Sequence, residues 1–381
     1  MIKQFLYINL KKSVFFCLRF NFLRKKKNKI TFFSFPDLSD NSWHLFNYIH
    51  KNKNNLLLVW LIEKNLSNKK MIHLKKINKT NKLLFIKKKS LYGIYHFLSS
   101  RIVFFTHIPY FFCQKNIGPI QVNLWHGMPI KKIGFYRHKE HKYFYGDFVI
   151  STSSLYTKIL SKAFGLNKKF IISSGLPRND VLINNDKKKF NNRNLKLILW
   201  LPTFRKTNLI SKINDSENAN FLDEWQSNFL KELNYIAKLN GILIVIKIHP
   251  LDNLQKINNK YSNISFLKNT DLIKLKFDLH DLISISDGLI SDISSVIIDY
   301  ILMKKPLGVT TNSIKTFNRG LINELNLFNN LKYHRLNNLS NFESFLKKVK
   351  KNKTTIIDPK NIFYSKKATN SSNKIANYFN I

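Results

Sequence analysis

The chain has 381 residues, of which 44% are hydrophobic, so its length suits about two globular domains and its composition is not that of a disordered protein. Its 64 lysines and arginines against 22 acidic residues give a formal net charge of +42, which attracts polyanions such as anionic lipid, nucleic acid or a phosphate polymer. The two cysteines, Cys17 and Cys113, exclude a disulfide framework, and no Cys/His cluster has zinc-site spacing, which favours a reduced compartment.

The many lysines do not by themselves identify a partner. Lys, Asn, Ile and Phe are all abundant and have AT-rich codons, so genome composition is an alternative source of the charge. The basic residues are spread along the chain without an RNA- or DNA-binding motif, and we therefore predict no specific nucleic-acid partner.

We predict that residues 1–29 form a basic, apolar segment that contacts an anionic membrane surface. Phe5–Leu23 is its most apolar part, but two lysines and Arg19 interrupt it, and a bilayer span takes roughly 20 apolar residues. No small-residue cleavage site follows, unlike in a secretory signal. On a helix the polar side chains gather roughly on one side, and the basic cluster Arg24–Lys27 comes next. The alternative is a first strand and helix of the core with basic edges.

Between residues 30 and 185 short apolar runs alternate with helical stretches. Apolar strands separated by helices predict a parallel sheet covered on both faces. The predicted strands are Ile30–Phe35, Leu56–Ile62, Leu83–Ile86, Ile102–Phe105, Ile120–Leu124, Phe148–Ser151 and Phe170–Ser173, and the helices include Asn41–His50, Leu91–Ser99 and Leu155–Phe164.

A polar stretch, NNDKKKFNNRN, predicts a linker at 186–194, and the alternation restarts after it. Residues 195–381 therefore form a second predicted domain of the same α/β class. Two such halves leave a cleft, and ligands bind at the carboxyl ends of the strands. The predicted strands are Leu195–Leu201, Ile242–Ile248, Ile264–Leu267, Gly288–Ile290 and Leu307–Val309, with helices at Phe221–Asn240 and Ile293–Met303.

Five short segments that each follow a predicted strand carry candidate functional residues. The first, NLWHGMPIKKIG, places His126 after a strand end, and Lys131 and Lys132 follow in the same loop. A histidine at this position can accept a proton from a hydroxyl, since its pKa lies near 7. The alternative is a hydrogen-bonded histidine that packs beside Trp125.

The second segment, GLPRNDVL, supplies Arg178 and Asp180. Asp180 can orient a base or an acceptor hydroxyl, and Arg178 can lie near phosphate. The alternative is that Asn179 or Asp180 caps the short helix that follows.

The third and fourth segments belong to the second half. LILWLPTFR places Arg205 beyond a buried strand, where a guanidinium suits bidentate phosphate binding, although a solvated surface arginine is the alternative. VIKIHP places Lys247 and His249 on one face of a strand end, where both can donate to a diphosphate. A turn histidine before proline is the alternative reading of His249.

The fifth segment, SDGLISDISS, supplies Asp292, Ser294 and Ser295 at the start of an apolar helix. Free backbone N–H groups and the helix dipole form an anion site there, and an ordinary N-cap is a compatible alternative. No G-x-x-x-x-G-K-[ST], no G-x-G-x-x-G and no nucleophile elbow occurs, which disfavours P-loop, hydride-transfer and serine-hydrolase chemistry.

In this order the segments WHGMP, GLPRND, LPTFR, KIHP and SDISS resemble the CDP-glycerol:poly(glycerophosphate) glycerophosphotransferase family of teichoic acid synthesis. The resemblance implies a GT-B-like fold, with an acceptor-side Rossmann-like domain at 30–185 and a CDP-donor domain at 195–381. It implies transfer of glycerol phosphate, or a related alditol phosphate, to a hydroxyl with release of CMP. A GT-B glycosyltransferase that uses a nucleotide sugar for cell-surface polysaccharide is the alternative.

Carried over residue by residue, the resemblance implies that His126 is the base or phosphate contact and Asp180 its partner. The remaining candidates divide by substrate. The implied donor-site residues are Arg205, Lys247, His249, Asp292, Ser294 and Ser295, and the possible acceptor or phosphate contacts are Lys131, Lys132 and Arg178.

The implied partners are CDP-glycerol or CDP-ribitol and a lipid-linked saccharide or polyanionic polymer acceptor, at the cytoplasmic face of the membrane. No cofactor is predicted, and no carboxylate cluster demands a metal. Met128, Leu176 and Ile293 depart from residues usual in the family, which bears on the acceptor or the alditol. The length is short for a family polymerase and suits a single-addition primer enzyme or a compact capsule enzyme.

Overall fold

The computed structural model divides by contact into two compact α/β units, each built on a parallel sheet. The first unit comprises 1–126, 139–180 and 367–381, and the second comprises 127–138 and 181–366. The residues described are 26–64, 74, 76–110, 112–115, 118–137, 144–183, 194–202, 227–247, 261–275, 277–310, 320–351 and 354–381.

The first sheet has the strand order β3-β2-β1-β4-β5-β6-β7, and all its described pairings are parallel. Ligand sites in such sheets lie where the strand order reverses, which here is between β1 and β4. Its strands are β1 Lys26–Phe33, β2 Leu57–Ile62, β3 Lys82–Lys87, β4 Ser100–Phe105, β5 Ile120–Asn123, β6 Phe148–Ile150 and β7 Ile171–Ile172. Its helices are α1 Asp40–Asn52, α2 Leu91–Leu98, α3 Ser154–Phe164 and the start of α4 Asp180–Ile183.

Aromatic packing joins α1 to the centre of this sheet. Phe32 of β1 stacks on Trp60 of β2 and on Phe104 of β4, with ring centroids 5.7 and 5.6 Å away. Phe46 of α1 meets Phe32 edge-on at 5.4 Å. All four rings are buried. Burial of such a ring stabilises the fold by about 1.5–3 kcal/mol, so this cluster fixes where α1 begins.

The second sheet has the strand order β10-β9-β8-β11-β12-β13, again with parallel pairing, and the order reverses between β8 and β11. Trp200 of β8 packs against Phe342 at 5.3 Å in its core. The strands are β8 Lys196–Leu201, β9 Ile242–Lys247, β10 Ile264–Leu267, β11 Gly288–Ser291, β12 Leu307–Thr310 and β13 His334–Leu336. The helices are α5 Ser227–Leu239, α6 Asn269–Leu275, α7 Leu279–Ile285, α8 Val296–Tyr300, α9 Leu327–Asn330 and α10 Leu339–Lys350.

Two predicted boundaries differ in the structure. β1 begins at Lys26, which pairs with Ser100, so the last residues of the predicted 1–29 segment belong to the sheet. The predicted helix Ile293–Met303 begins at Val296 as α8 and continues from Ile301 as a 3-10 turn, because Asp292–Ser295 form the turn after β11.

The carboxyl-terminal residues group with the first unit, whereas the predicted division assigned them to the second. Helix α11, Ser371–Tyr378, starts at the Asp180 carboxylate, whose two oxygens accept hydrogen bonds from the N–H groups of Ser371 and Ser372 at 2.7 and 2.9 Å. Gly175, at φ +86°, permits this approach, since a Cβ there would lie 2.4 Å from the Ala368 carbonyl oxygen.

The loop after His126 groups with the second unit. Ile130 accepts a hydrogen bond from the Ile322 N–H at 3.0 Å, and Lys132 donates its N–H to Gly320 at 3.1 Å. Lys131 and Leu321 form an antiparallel bridge between these bonds. Lys131 and Lys132 therefore lie in the second unit, although the predicted division placed them in the first.

We expect Asp180→Ala to loosen α11, because it removes a carboxylate that satisfies two helix N–H groups. The loss should be about 1–3 kcal/mol of local stability, measured by hydrogen exchange of peptides that cover 367–381. Asp358→Ala is the matched control, since that carboxylate accepts from Ile362, Phe363 and Tyr364 of the second unit. Unchanged exchange in 367–381 for Asp180→Ala would contradict the capping role.

Candidate active site

His126 lies at the carboxyl edge of the first sheet, next to the reversal of strand order. β1, β4 and β5 end in register at Phe33, Phe105 and Asn123, so the loops that follow them start side by side. The Asn123 side chain accepts from the Trp125 N–H at 2.8 Å, and Trp125 takes the left-handed conformation, φ +53°. This sharp turn presents an exposed His126 ring.

The hydrogen-bonding partner of His126 favours one tautomer. Its Nδ1 lies 3.5 Å from the carbonyl oxygen of Thr106, the residue after β4. A carbonyl oxygen can only accept, so this long contact favours a proton on Nδ1 and leaves Nε2 with its lone pair. That is the form in which an imidazole accepts a proton from a hydroxyl.

A second imidazole stacks on His126. The His107 ring is 4.8 Å from the His126 ring with an angle of 13° between their planes, and its Nδ1 lies 3.0 Å from the Thr106 hydroxyl. The Trp125 ring also stacks against the His126 ring, with the two ring centroids 4.4 Å apart. His107 was not among the residues predicted from the sequence, although it lies two residues after a predicted strand, as His126 does.

An ion pair lies near the two imidazoles. Asp40, at φ +59° at the start of α1, accepts a hydrogen bond from Arg178 at 2.9 Å, and Arg178 is buried. Arg178 was predicted from the sequence as a possible phosphate contact, and in the structure its guanidinium has a carboxylate partner. Asp40 was not selected, and it adds a negative charge to a strongly basic chain at this edge.

The surroundings lower the pKa of His126 below its ordinary 6.5. Desolvation by burial is the largest cause, His107 and Arg178 lower it further, and Asp40 together with the Thr106 contact raises it. The His126 side chain nevertheless keeps access to solvent. Burial also lowers the pKa of His107. The His126 imidazole is therefore neutral at neutral pH, which is the protonation state in which a histidine can accept a proton.

Asp180 has another role in the structure. Both of its oxygens bind the start of α11, and these contacts give no support to its selection as the partner of His126. The alternative, a capping carboxylate, describes it, although the capped helix lies 191 residues further along the chain and not directly after it.

The carboxyl edge of the second sheet assembles part of the predicted donor site. β9, β8 and β11 end at the same level, so Lys247 and Asp292 lie at this edge on either side of β8. Desolvation lowers the pKa of Lys247 to about 8, and Asp292 is buried directly after β11. Ser294 and Ser295 are half-buried, and Ser294 accepts a weak hydrogen bond from the Val296 N–H at 3.4 Å.

Two predicted donor-site residues, Arg205 and His249, lie outside the described residues. The strands that precede them end at Leu201 and Lys247, so both follow the carboxyl edge of the second sheet. Their side-chain roles remain predictions from the sequence.

The three departures from the family pattern lie in the interior. Met128, Leu176 and Ile293 are all buried, with 0, 0 and 1% of their surface exposed. Each of these side chains is thus shielded from solvent.

A family model described as CDP-Glycerol:Poly(glycerophosphate) glycerophosphotransferase matches residues 15–379. The chain belongs to this family. The resemblance of its five sequence motifs is thereby confirmed, and this glycerophosphotransferase-family chain has the α/β, GT-B-like fold that the resemblance implied.

Curated relatives of this glycerophosphotransferase-family chain carry names from teichoic acid synthesis. It is 27% identical over 238 residues to a teichoic acid poly(glycerol phosphate) polymerase of Staphylococcus epidermidis, a match that covers 55% of the chain and 31% of the relative. It is 28% identical over 210 residues to a teichoic acid glycerol-phosphate transferase of Staphylococcus aureus, which covers 48% of the chain and 49% of that relative. The matches thus span half or less of these relatives.

A solved structure of the wall teichoic acid polymerase TagF, a variant soaked with CDPG, shares the fold of this glycerophosphotransferase-family chain. The TM-score is 0.74 at 20% identity, and the match covers 100% of the chain and 95% of that structure. A UDP-GlcNAc 2-epimerase of Methanocaldococcus jannaschii matches with a TM-score of 0.52 at 11% identity over 92% of the chain and 99% of that structure. At these identities the likeness concerns the fold alone.

We expect two substitutions to shift the pKa of His126 in opposite directions. His107→Gln removes a neighbouring imidazole that opposes protonation of His126, so the pKa should rise. Asp40→Asn removes a carboxylate that favours the protonated ring, so the pKa should fall. NMR titration of the His126 resonances measures both shifts, and His334→Gln, on the edge strand β13, is the control. Shifts of the same sign would contradict the arrangement.

Proposed function

We propose that this chain transfers glycerol phosphate or a related alditol phosphate from a CDP-alditol to a hydroxyl of a poly(alditol phosphate) or lipid-linked saccharide. Membership of the glycerophosphotransferase family and the names of the relatives support this reaction class. The observation that carries it is a neutral, exposed His126 at the carboxyl edge of the first sheet, in the turn that the WHG motif forms.

The proposed reaction needs one proton acceptor and donors for a diphosphate. The acceptor hydroxyl attacks the phosphorus bonded to the alditol, its proton passes to Nε2 of His126, and the P–O bond to CMP breaks. The products are a new phosphodiester, CMP and a proton that His126 releases to water. Lys247, with predicted help from Arg205 and His249, would hold the charge that develops on the leaving phosphate.

The first test is a donor panel with the full chain. Incubation with CDP-glycerol, CDP-ribitol or UDP-GlcNAc and a lipid-linked saccharide acceptor should release CMP from a CDP-alditol, and mass analysis should find one alditol phosphate added per CMP. His126→Gln should lower kcat by at least about 100-fold, since general-base groups contribute about 10²–10⁴-fold.

The matched control is His334→Gln, which removes a histidine of the second sheet and should leave kcat unchanged. Transfer of a sugar from UDP-GlcNAc with no CMP release would replace this proposal by the glycosyltransferase alternative. A well-folded His126→Gln variant with wild-type kcat would remove His126 from the reaction.

We also propose that the chain acts peripherally at the cytoplasmic face of an anionic membrane. Helix α2 supports this, because Leu91, Tyr92 and Tyr95 are 86, 58 and 38% exposed beside the exposed Lys87 and Lys89. Aromatic and apolar side chains flanked by lysines suit the interfacial region of a bilayer. Across the residues described, no helix has the length and apolar character to cross a membrane.

Vesicle flotation tests the membrane proposal. The full chain should float with anionic vesicles at low salt, and Leu91→Ser with Tyr92→Ser should weaken binding. Removal of residues 1–25, which spares β1, should weaken it further, since each basic residue at an anionic surface contributes about 1 kcal/mol. Tyr235→Ser and Leu239→Ser, exposed residues of α5, form the control pair. Equal flotation of every variant would show that neither helix α2 nor residues 1–25 contact the membrane.

A further inference from the structure

A buried asparagine connects the two motifs of the first unit. Asn41, the second residue of α1, has no exposed surface, and its Nδ2 donates to the carbonyl oxygens of Leu124 and Trp125, both at 3.0 Å. Its Oδ1 accepts from the Arg178 N–H at 3.1 Å. One side chain thus binds the backbone of the WHG turn and that of the GLPRND turn.

The Trp125 carbonyl is part of the peptide unit that leads into His126, so its orientation sets the direction in which His126 leaves the turn. Trp125 is held at φ +53°, a conformation that side-chain-bearing residues adopt at a cost of about 1–3 kcal/mol and keep only where surrounding contacts fix it. Asn41 Nδ2 and Asn123 Oδ1 supply such contacts at the two ends of the residue.

Only a primary amide of this length satisfies the site. The pocket presents two carbonyl oxygens, which need donors, and one N–H, which needs an acceptor. A carboxylate can accept from Arg178 but faces the two carbonyls with no donor. An apolar side chain would leave all three backbone groups without this partner, in two buried contacts and one part-buried contact.

We infer that Asn41 is a positioning residue that fixes the backbone of the WHG turn and thereby the imidazole of His126. The catalytic meaning of this inference rests on the proposed function, whereas the effect on the His126 ring does not. The contact also explains why the chain places Asp40 and Asn41 together, since Asp40 binds the Arg178 side chain while Asn41 binds its backbone.

The chain offers a closely matched control in Asn81. Its Nδ2 donates to the carbonyl oxygens of His50 and Lys53 at 3.1 and 2.7 Å, and its Oδ1 accepts from the Leu56 N–H at 2.9 Å. This buried amide has the same bonding pattern, but it precedes β3 and therefore lies at the amino edge of the sheet.

The experiment compares Asn41→Asp with Asn81→Asp in the full chain. Both should lose global stability in urea denaturation to a similar degree. Only Asn41→Asp should move the His126 imidazole resonances in NMR spectra of the substrate-free protein, and only it should change the rate at which diethyl pyrocarbonate modifies His126. With a CDP-alditol donor, it should lower kcat by about 100-fold at nearly unchanged KM, the size expected for a displaced catalytic group.

Asn41→Ser, which keeps one donor, should give an intermediate shift and kcat, and it serves as the second variant where Asn41→Asp does not fold. Identical His126 spectra in wild type, Asn41→Ser and Asn41→Asp would overturn the inference. If the Asn41 variants displace the His126 resonances but the wild-type protein transfers no alditol phosphate, the positioning role is upheld and the proposed function is refuted. The failure of one proposal can therefore be told apart from the failure of the other.

Discussion

In-register parallel pairing of β1, β4 and β5 is the constraint on which the first unit's site depends. Hydrogen bonds between these strands place Phe33, Phe105 and Asn123 at the same level of the sheet. The segments that follow these three residues therefore start next to one another. Asp40 at the start of α1 and His107 and His126 in two different loops are separated by 86 residues from first to last, yet all contribute charge or ring contacts to the same imidazole pair.

The charge of the whole chain and most of the surroundings of His126 act on this imidazole in the same direction. A formal charge of +42 disfavours protonation of any further base, which suits an imidazole that has to stay neutral. Asp40 works in the other direction, but it is paired with Arg178, so its effect on the rings is partly neutralised. The balance of these charges leaves the His126 imidazole neutral at neutral pH.

The alternation of apolar strands and helices predicts both sheets, because a buried parallel strand is a continuous apolar run that the sequence displays directly. His126, Lys247 and Asp292 could be selected as candidates from the sequence, since each lies at or just after the end of such a run, and their roles stay predictions. Asp180 was misread because its partner, the start of α11, lies 191 residues away and no local pattern reports a contact of that range. Asn41 and Asp40 were not predicted as site residues for a related reason, since polar residues are common at the start of a helix.

The assignment of 367–381 to the first unit has a consequence for synthesis. The start of α11 binds Asp180, and Phe379 packs edge-on against Phe104 and Phe148 at 5.8 and 5.4 Å, so the core of the first unit includes residues that follow the second unit in the chain. The second unit, whose described strands all lie before residue 337, has its sheet complete earlier. Because residues 367–379 follow the whole second unit in chain order, the first unit can complete its core only after the second unit has been synthesised.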